Sequence, residues 1–347
     1  MEEKSKIVFV GTGSMGQCAH LKNYVLIPDC EVVAICEIKK QLASKVSQRY
    51  GIKNTYEKFS DMVEKEQFDA IVASQPFTRH LIVLKEILKV RKPVFIEKPL
   101  AGSVETGEKI IQEIKKSGTW VMVGYHKRND PAVIYAKQKI EQFKKTNELG
   151  KMRYIRITMP PGDWIAGGFR DLIKTDEKVA LEYDSIPQDM DKKTFEKYLS
   201  FVNYYIHQVN LMRFFLGESY SVKYADKSEV LMVIESVSHI TGVIEMAPYT
   251  TSNDWQEKVV VCFEKGFVEI YLPAPLVSNR CGNVKIYRDV PEPLTIIPHL
   301  PPVSAMYQQA LNFVQSVRGK AQPACLADEA LEDLKIAQQY IKFLTCS

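Results

Sequence analysis

Two sets of residues in this chain have types and spacings that could do chemistry. The first is Val8-Phe9-Val10-Gly11-Thr12-Gly13-Ser14-Met15-Gly16, three glycines in the order G-x-G-x-x-G directly after the apolar run Ile7 to Val10. The run reads as a buried strand that turns into a helix. The first glycine permits a tight turn, the second lets a pyrophosphate approach the backbone, and the third lets helix and strand pack closely. The helix N-terminus then offers N–H donors and partial positive charge to phosphates. A second apolar run, Glu31 to Cys36, ends at Glu37, about 20 residues past the glycines, where a ribose-binding carboxylate is expected. A carboxylate there repels a 2′-phosphate, so NAD is favoured over NADP, although Lys39 and Lys40 leave a route for the phosphate. The second set is Ser200, Asn203, His207 and Asn210, spaced three, four and three apart. That spacing puts them on one stripe of a helix.

The elements that must position these groups follow from pattern. Around the polar stripe, Phe195, Leu199, Phe201, Val202, Ile206, Val209, Leu211, Phe214 and Phe215 make the segment from about Phe195 to Leu216 apolar almost all round, which predicts a buried helix stopped by Gly217. A buried polar group without a partner costs about 1–3 kcal/mol, so the stripe faces a polar network, a ligand or water. A histidine there suits proton transfer at neutral pH.

Residues 1–125 alternate strand and helix: helices over Gln41 to Tyr50, Phe59 to Glu66, His80 to Val90 and Val104 to Ser117, strands over Phe68 to Ser74, Pro93 to Ile96 and Trp120 to Gly124. This predicts a parallel sheet with right-handed crossovers and ligands at the carboxyl ends of its strands. Ser74-Gln75-Pro76, Glu97-Lys98-Pro99 and Tyr125 to Arg128 fall at such ends. Residues 126–347 read as a second, α+β domain. Lys151 to Met159, Glu229 to Ile234, His239 to Met246, Lys258 to Phe263 and Phe267 to Leu272 lie too close together for helices between them, so the sheet is mostly antiparallel, with Gly266 expected in a hairpin turn. Helices cover one face, and the other is a natural subunit interface. Two helices, Ser304 to Arg318 and Leu326 to Leu344, close the chain. Leu172 to Lys193, long and charged, reads as a solvated excursion or a lid.

Composition excludes several classes. The 347 residues carry a net charge of only +4, scattered, which gives no nucleic-acid footprint. No apolar run is long enough for a membrane span, and Met1-Glu2-Glu3-Lys4-Ser5-Lys6 has no signal core. The seven cysteines (Cys18, Cys30, Cys36, Cys262, Cys281, Cys325, Cys346) are odd in number and dispersed, which points to reduced thiols in a cytoplasm. The six histidines are equally scattered, and no metal is expected.

The glycine turn, Gln75-Pro76 ahead of His80, Glu97-Lys98-Pro99, and Gly124-Tyr125-His126-Lys127-Arg128-Asn129-Asp130-Pro131 together resemble the glucose–fructose oxidoreductase / inositol dehydrogenase / MocA family, along the whole chain. The resemblance implies a Rossmann nucleotide-binding domain followed by a domain with a large, mostly antiparallel sheet, and a homo-oligomer, dimer or tetramer. It implies an NAD-dependent oxidoreductase moving a hydride to or from a hydroxyl-bearing carbon of a sugar or cyclitol. Cofactor contacts are then expected from Gly11, Thr12, Gly13, Ser14, Met15, Gly16, Glu37, Ser74, Gln75, Pro76, His80, Glu97 and Lys98. Lys98 and His207 would flank the substrate hydroxyl, Lys98 as alkoxide stabiliser and His207 as acid–base, with Asn203 as orienter. Arg128, Trp164, Arg170 and Tyr204 are further substrate candidates, and His126 lies near the nicotinamide end.

The helix resembles the family's Asp-x-x-x-His-x-x-Asp motif but carries Asn203 and Asn210 for the two acids. Asparagine orients an imidazole without stabilising its charged form. Two other readings therefore stay open: an enzyme that retains NAD and uses transient oxidation for elimination or glycoside cleavage, and a nucleotide-sensing regulator without catalysis.

Overall fold

Ile7, Val8 and Phe9 are wholly buried in the strand Ser5–Val10 (β1), as their apolar run requires, in a computed structural model that describes residues 3–345. Met1, Glu2 and Cys346 of the sequence reading lie outside those residues. β1 is joined by Cys30–Cys36 (β2), Asn54–Tyr56 (β3), Ala70–Ala73 (β4), Val94–Ile96 (β5) and Val121–Val123 (β6). All pairings are parallel, in the order β3-β2-β1-β4-β5-β6. Strand order reverses between β1 and β4, and a doubly wound sheet opens a crevice beyond the carboxyl ends of its strands at that reversal.

The crossover helices are Lys40–Tyr50, Phe59–Lys65, His80–Ile87 and Val104–Ser117. Gly51 and Gly118 end two of them in the left-handed region, at φ 67° and 70°, and Ser103 caps another by accepting from the Thr106 N–H at 3.1 Å. The helix after the glycine turn differs from expectation: it opens as a π-turn, Gly16–Leu21, before α-helical Lys22–Tyr24.

The first compact unit takes the residues through Tyr125 together with Gly167–Phe195 and Met306–Leu334. Phe313, on the helix Ala305–Val317, is fully buried against the core of this unit, with ring centroids 5.8 Å from Phe95 and 5.6 Å from Trp120.

The second unit takes His126–Ala166, Glu196–Ala305 and the residues from Lys335 onward. Its sheet has eight strands: Met152–Thr158 (β7), Tyr220–Ala225 (β8), Leu231–Ser236 (β9), Thr241–Glu245 (β10), Glu257–Phe263 (β11), Gly266–Leu272 (β12), Asn283–Arg288 (β13) and Leu294–Ile296 (β14). The order is β14-β13-β12-β11-β7-β10-β9-β8, and only β7 with β10 is parallel. Alternate residues of β7 and β11 are buried, so one face of the sheet makes core. The helices Pro131–Thr146 and Lys192–Leu216 lie on it: Phe143 meets Phe263, and a Cβ on Gly242 would strike Met212 Sδ at 2.9 Å. The other face carries half-buried Tyr154, Val260 and Phe267 beside exposed Tyr271.

Gly266 corrects one expectation. The turn is Glu264-Lys265, and Gly266 already pairs with Phe263 in the ladder. Glycine is needed there because a Cβ would lie 2.3 Å from the Tyr287 carbonyl oxygen. The strands β3, β8, β13 and β14 and the helix Pro131–Thr146 were not anticipated. β3 and β14 are three residues each and mostly exposed, which leaves no hydrophobic period to read. Among the described residues no helix is long and apolar enough to cross a membrane, and Cys18, Cys30, Cys36, Cys262, Cys281 and Cys325 are free thiols.

Candidate active site

In the first unit the three glycines have three different surroundings. Gly11 turns at φ 90°, and a Cβ on it would lie 2.3 Å from Gln75 Nε2 and 2.6 Å from the Ser74 carbonyl oxygen. It therefore closes the β1 end against the β4 end, at the sheet's reversal point. A Cβ on Gly16 would lie 2.8 Å from the Gly11 carbonyl oxygen, which is the close helix–strand packing the motif requires. Gly13 has nothing within 4 Å of such a Cβ, and it and Ser14 are exposed while Met15 is half-buried. Open backbone between two packed glycines is what a pyrophosphate would use. The residues present thus fit a dinucleotide.

Glu37 is buried, with its carboxylate set by the glycine turn. Its Oε2 accepts from the Thr12 N–H at 2.8 Å and from Thr12 Oγ1 at 3.2 Å, and its Oε1 accepts from the Lys39 N–H at 3.1 Å. Gln75 donates to the Val10 carbonyl at 3.2 Å and accepts from Arg79 at 3.0 Å. A cleft of about 600 Å³ is lined by Gly11, Gly13, Glu37, Ser74, Gln75 and Pro76 and, from the segment further along the chain, by Glu177, Lys178, Val179 and Leu181. His80 is buried beneath it with Nδ1 3.0 Å from the Leu100 carbonyl oxygen, and burial holds its pKa below the usual histidine value. His80 thus supports the strand-end loops from below.

The Glu97-Lys98-Pro99 turn follows β5, with a cis bond before Pro99. Glu97 Oε1 is hydrogen-bonded to His20 Nε2, and Oε2 accepts from the Lys98 N–H at 3.1 Å. Burial alone would raise the Glu97 carboxyl; His20 and then Lys98 bring it below its ordinary value. His20 is thus the residue that fixes the acid of this turn. Nothing in local spacing could have shown it, since 77 residues separate the pair. Lys98 is half-buried.

In the second unit the polar stripe is only partly buried. Ser200 and Asn203 are exposed, whereas His207 and Asn210 are buried, so the expected buried stripe runs from surface to interior. The inner end meets the turn His126–Asn129. His126 and His207 rings lie edge to face with centroids 4.5 Å apart. Arg128 Nε donates to Asn210 Oδ1 at 2.7 Å, and its guanidinium lies 4.8 Å from the Phe214 ring. Beside them is a network that sequence reasoning missed. Glu257 is buried, its Oε2 paired with Lys127 Nζ and its Oε1 accepting from Gln208 Nε2 at 2.7 Å. Lys127 also lies over the Trp255 ring at 5.4 Å.

Asn129 Nδ2, Gln208 Oε1 and Trp255 Nε1 are buried polar atoms without a hydrogen-bond partner among the described residues. Such atoms are costly and call for a bound polar group. Tyr204 is half-buried, its hydroxyl accepting from the Gly162 N–H at 3.4 Å, and it anchors the loop that carries Trp164. Trp164 is half-buried in the second unit, whereas Arg170 is exposed and belongs to the first.

Leu172 to Lys193 is not a free excursion. Gln17 brackets Ile173, donating to its carbonyl and accepting from its N–H, both at 3.1 Å. Glu177 accepts from the N–H groups of Gln41 and Leu42 at 3.0 and 3.2 Å. Asp184 accepts from the N–H groups of Leu81 and Ile82 at 3.3 Å each, and Arg79 donates to the Glu182 carbonyl at 2.6 Å. The segment is a strap held on the first unit.

Residues 5–125 match the oxidoreductase family with the NAD-binding Rossmann fold, Gfo/Idh/MocA. An inositol 2-dehydrogenase of Rubrobacter xylanophilus is 31% identical over 140 residues, 40% of each chain, and a scyllo-inositol 2-dehydrogenase (NAD(+)) of Bacillus subtilis is 29% identical over 45% of this chain and 44% of its own. The chain thus matches less than half the length of these curated relatives. A solved oxidoreductase from Desulfitobacterium hafniense, described as NADPH-dependent, has the same fold over 99% of this chain and 96% of its own, at a TM-score of 0.77 and 13% identity. The match to this family covers residues 5–125, and over the rest of the chain the likeness to solved oxidoreductases is one of fold.

Proposed function

We propose that the protein is an NAD-dependent dehydrogenase acting on a hydroxyl-bearing carbon of a sugar or cyclitol. The observation that carries this reading is the inner end of the polar stripe. His126 and His207 lie edge to face, and the turn and helix that carry them also carry Asn129 Nδ2 and Gln208 Oε1, buried polar atoms without a hydrogen-bond partner among the described residues. A polyol, dense in donors and acceptors, suits such a lining. The inositol dehydrogenases among the relatives point to the same substrate class.

The exposed backbone of Gly13 to Met15 would hold the pyrophosphate, and Glu37 the adenosine ribose. A nicotinamide held there would supply the hydride acceptor or donor for the carbinol carbon. Lys98 donates a hydrogen bond to the substrate oxygen and stabilises the negative charge that develops there. His207 takes the hydroxyl proton in oxidation and returns it in reduction. Asn203, one turn away, orients the imidazole or a substrate hydroxyl. It carries no charge, so it can orient the imidazole but not stabilise its charged form. Glu97, held by His20, fixes the backbone from which Lys98 projects. Assembly into a homo-oligomer through the open face of the second sheet belongs to this reading; sedimentation as a monomer at working concentration contradicts it.

The test is label transfer. A cyclitol or sugar panel deuterated at the carbinol carbons, incubated with protein and NAD, should yield deuterated NADH by mass spectrometry. NADH without label, or no transfer from any polyol, overturns the assignment.

A further inference from the structure

The strap crosses the helix N-termini of the nucleotide unit one after another. Ile173 is bound by Gln17 at the start of the helical segment Gly16–Leu21, Glu177 occupies the start of the helix Lys40–Tyr50, and Asp184 occupies the start of the helix His80–Ile87. The Gln188 N–H then reaches Glu105 in the first turn of the helix Val104–Ser117 at 3.4 Å. In a doubly wound sheet these termini surround the dinucleotide crevice. The inward residues agree: Ile173, Thr175, Glu177, Leu181 and Asp184 are at least half-buried, and residues between them, such as Asp176, Lys178 and Tyr183, are exposed.

Glu177 stands at the adenine-ribose corner. Lys39 and Lys40 there leave an opening for a 2′-phosphate, and the N–H groups of the helix they begin are the natural donors for it. Those donors are taken. Glu177 accepts from Gln41 and Leu42, and Thr175 Oγ1 donates to its Oε2 at 3.0 Å. The backbone bonds hold the Glu177 carboxyl below its ordinary pKa, so it is charged at neutral pH. Lys40 is drawn off by Glu57 at 3.0 Å. Glu37 and Glu177 both line the same cleft.

We propose that Glu177, carried in by the strap, is a second determinant of cofactor choice: it fills the helix N-terminus that a 2′-phosphate needs and so selects NAD against NADP. The proposal rests on the dehydrogenase reading only in taking the cleft to bind a nicotinamide dinucleotide. A phosphate entering this corner must displace a carboxylate that already satisfies the donors and must face Glu37 as well. NAD asks for no such displacement.

The test is equilibrium binding of NADH and NADPH, read by nucleotide fluorescence, to the wild type and to Glu177→Gln. Removing one charge from a helix N-terminus beside the phosphate should tighten NADPH about tenfold. NADH should move less than about threefold, since its ribose carries no phosphate at that terminus. Limited proteolysis of both proteins, with and without NADH, shows whether the strap stays docked. In Asp184→Asn, where the strap is altered away from the ribose corner, the NADPH/NADH ratio should stay at the wild-type value. An unchanged ratio in Glu177→Gln overturns the proposal, as does an equal shift in Asp184→Asn. A wild type that binds neither nucleotide overturns the dehydrogenase reading itself, a different outcome.

Discussion

Glu37 shows how a single side chain is prepared before any ligand arrives. Three hydrogen bonds from Thr12 and Lys39 fix the carboxylate, so its charge is held in place at the mouth of the cleft. Replacing it with serine removes charge-assisted bonds to the ribose, each worth about 1.5–3 kcal/mol. We expect Glu37→Ser to weaken NAD binding about tenfold or more and to leave NADP binding unchanged or tighter, as measured by titration. An unchanged NAD/NADP ratio would mean that the ribose is read elsewhere. Glu37 was legible because the motif fixes its distance from Gly16. His20 and Glu257 were not: each acts through a partner far along the chain, Glu97 and Lys127 respectively. Pairings of that kind are created by the fold, and no local pattern announces them.

At the scale of elements, the helix Pro131–Thr146 begins at Asp130, whose carboxylate accepts from the Ala132 N–H at 2.8 Å and from the Gly282 N–H at 3.0 Å. Burial pushes this carboxyl up to about 6 from its ordinary 3.8. A carboxyl raised on folding holds its proton longer in the native state. Its stabilising contribution is therefore complete below pH 3.8 and is lost as pH rises to 6, a change of about 3 kcal/mol. Asp130→Asn keeps an acceptor at the cap and removes this titration. Urea unfolding should show the variant gaining on the wild type between pH 4 and pH 6.5; a constant difference across that range contradicts the assignment.

Periodicity found the long elements well. The helix predicted over Val104 to Ser117 has those bounds, and the apolar helix predicted from about Phe195 is Lys192–Leu216. It failed on burial along the polar stripe, because spacing fixes the face a residue shares and not the depth of its turn. It failed on the strap for another reason. Glu177 and Asp184 are ordinary surface acids by sequence, and they gain a role only because helix N-termini elsewhere in the chain need acceptors.

For the whole molecule, the proposed function draws on two compact units that interleave along the chain. The nucleotide unit carries Lys98 on a turn braced by Glu97 and His20, and the second unit carries His207 against His126. In the proposed reaction the lysine stabilises the charge on the substrate oxygen and the histidine moves its proton. Lys98→Met tests this most directly because it deletes the charge and keeps the bulk. Turnover of NAD with a cyclitol or sugar, followed by the absorbance of reduced nicotinamide, should fall by about 10²–10³ or more, as expected for loss of an oxyanion-stabilising group, while NADH affinity stays within about threefold of wild type. Turnover that survives the substitution, or a collapse of NADH binding in its place, would contradict the account.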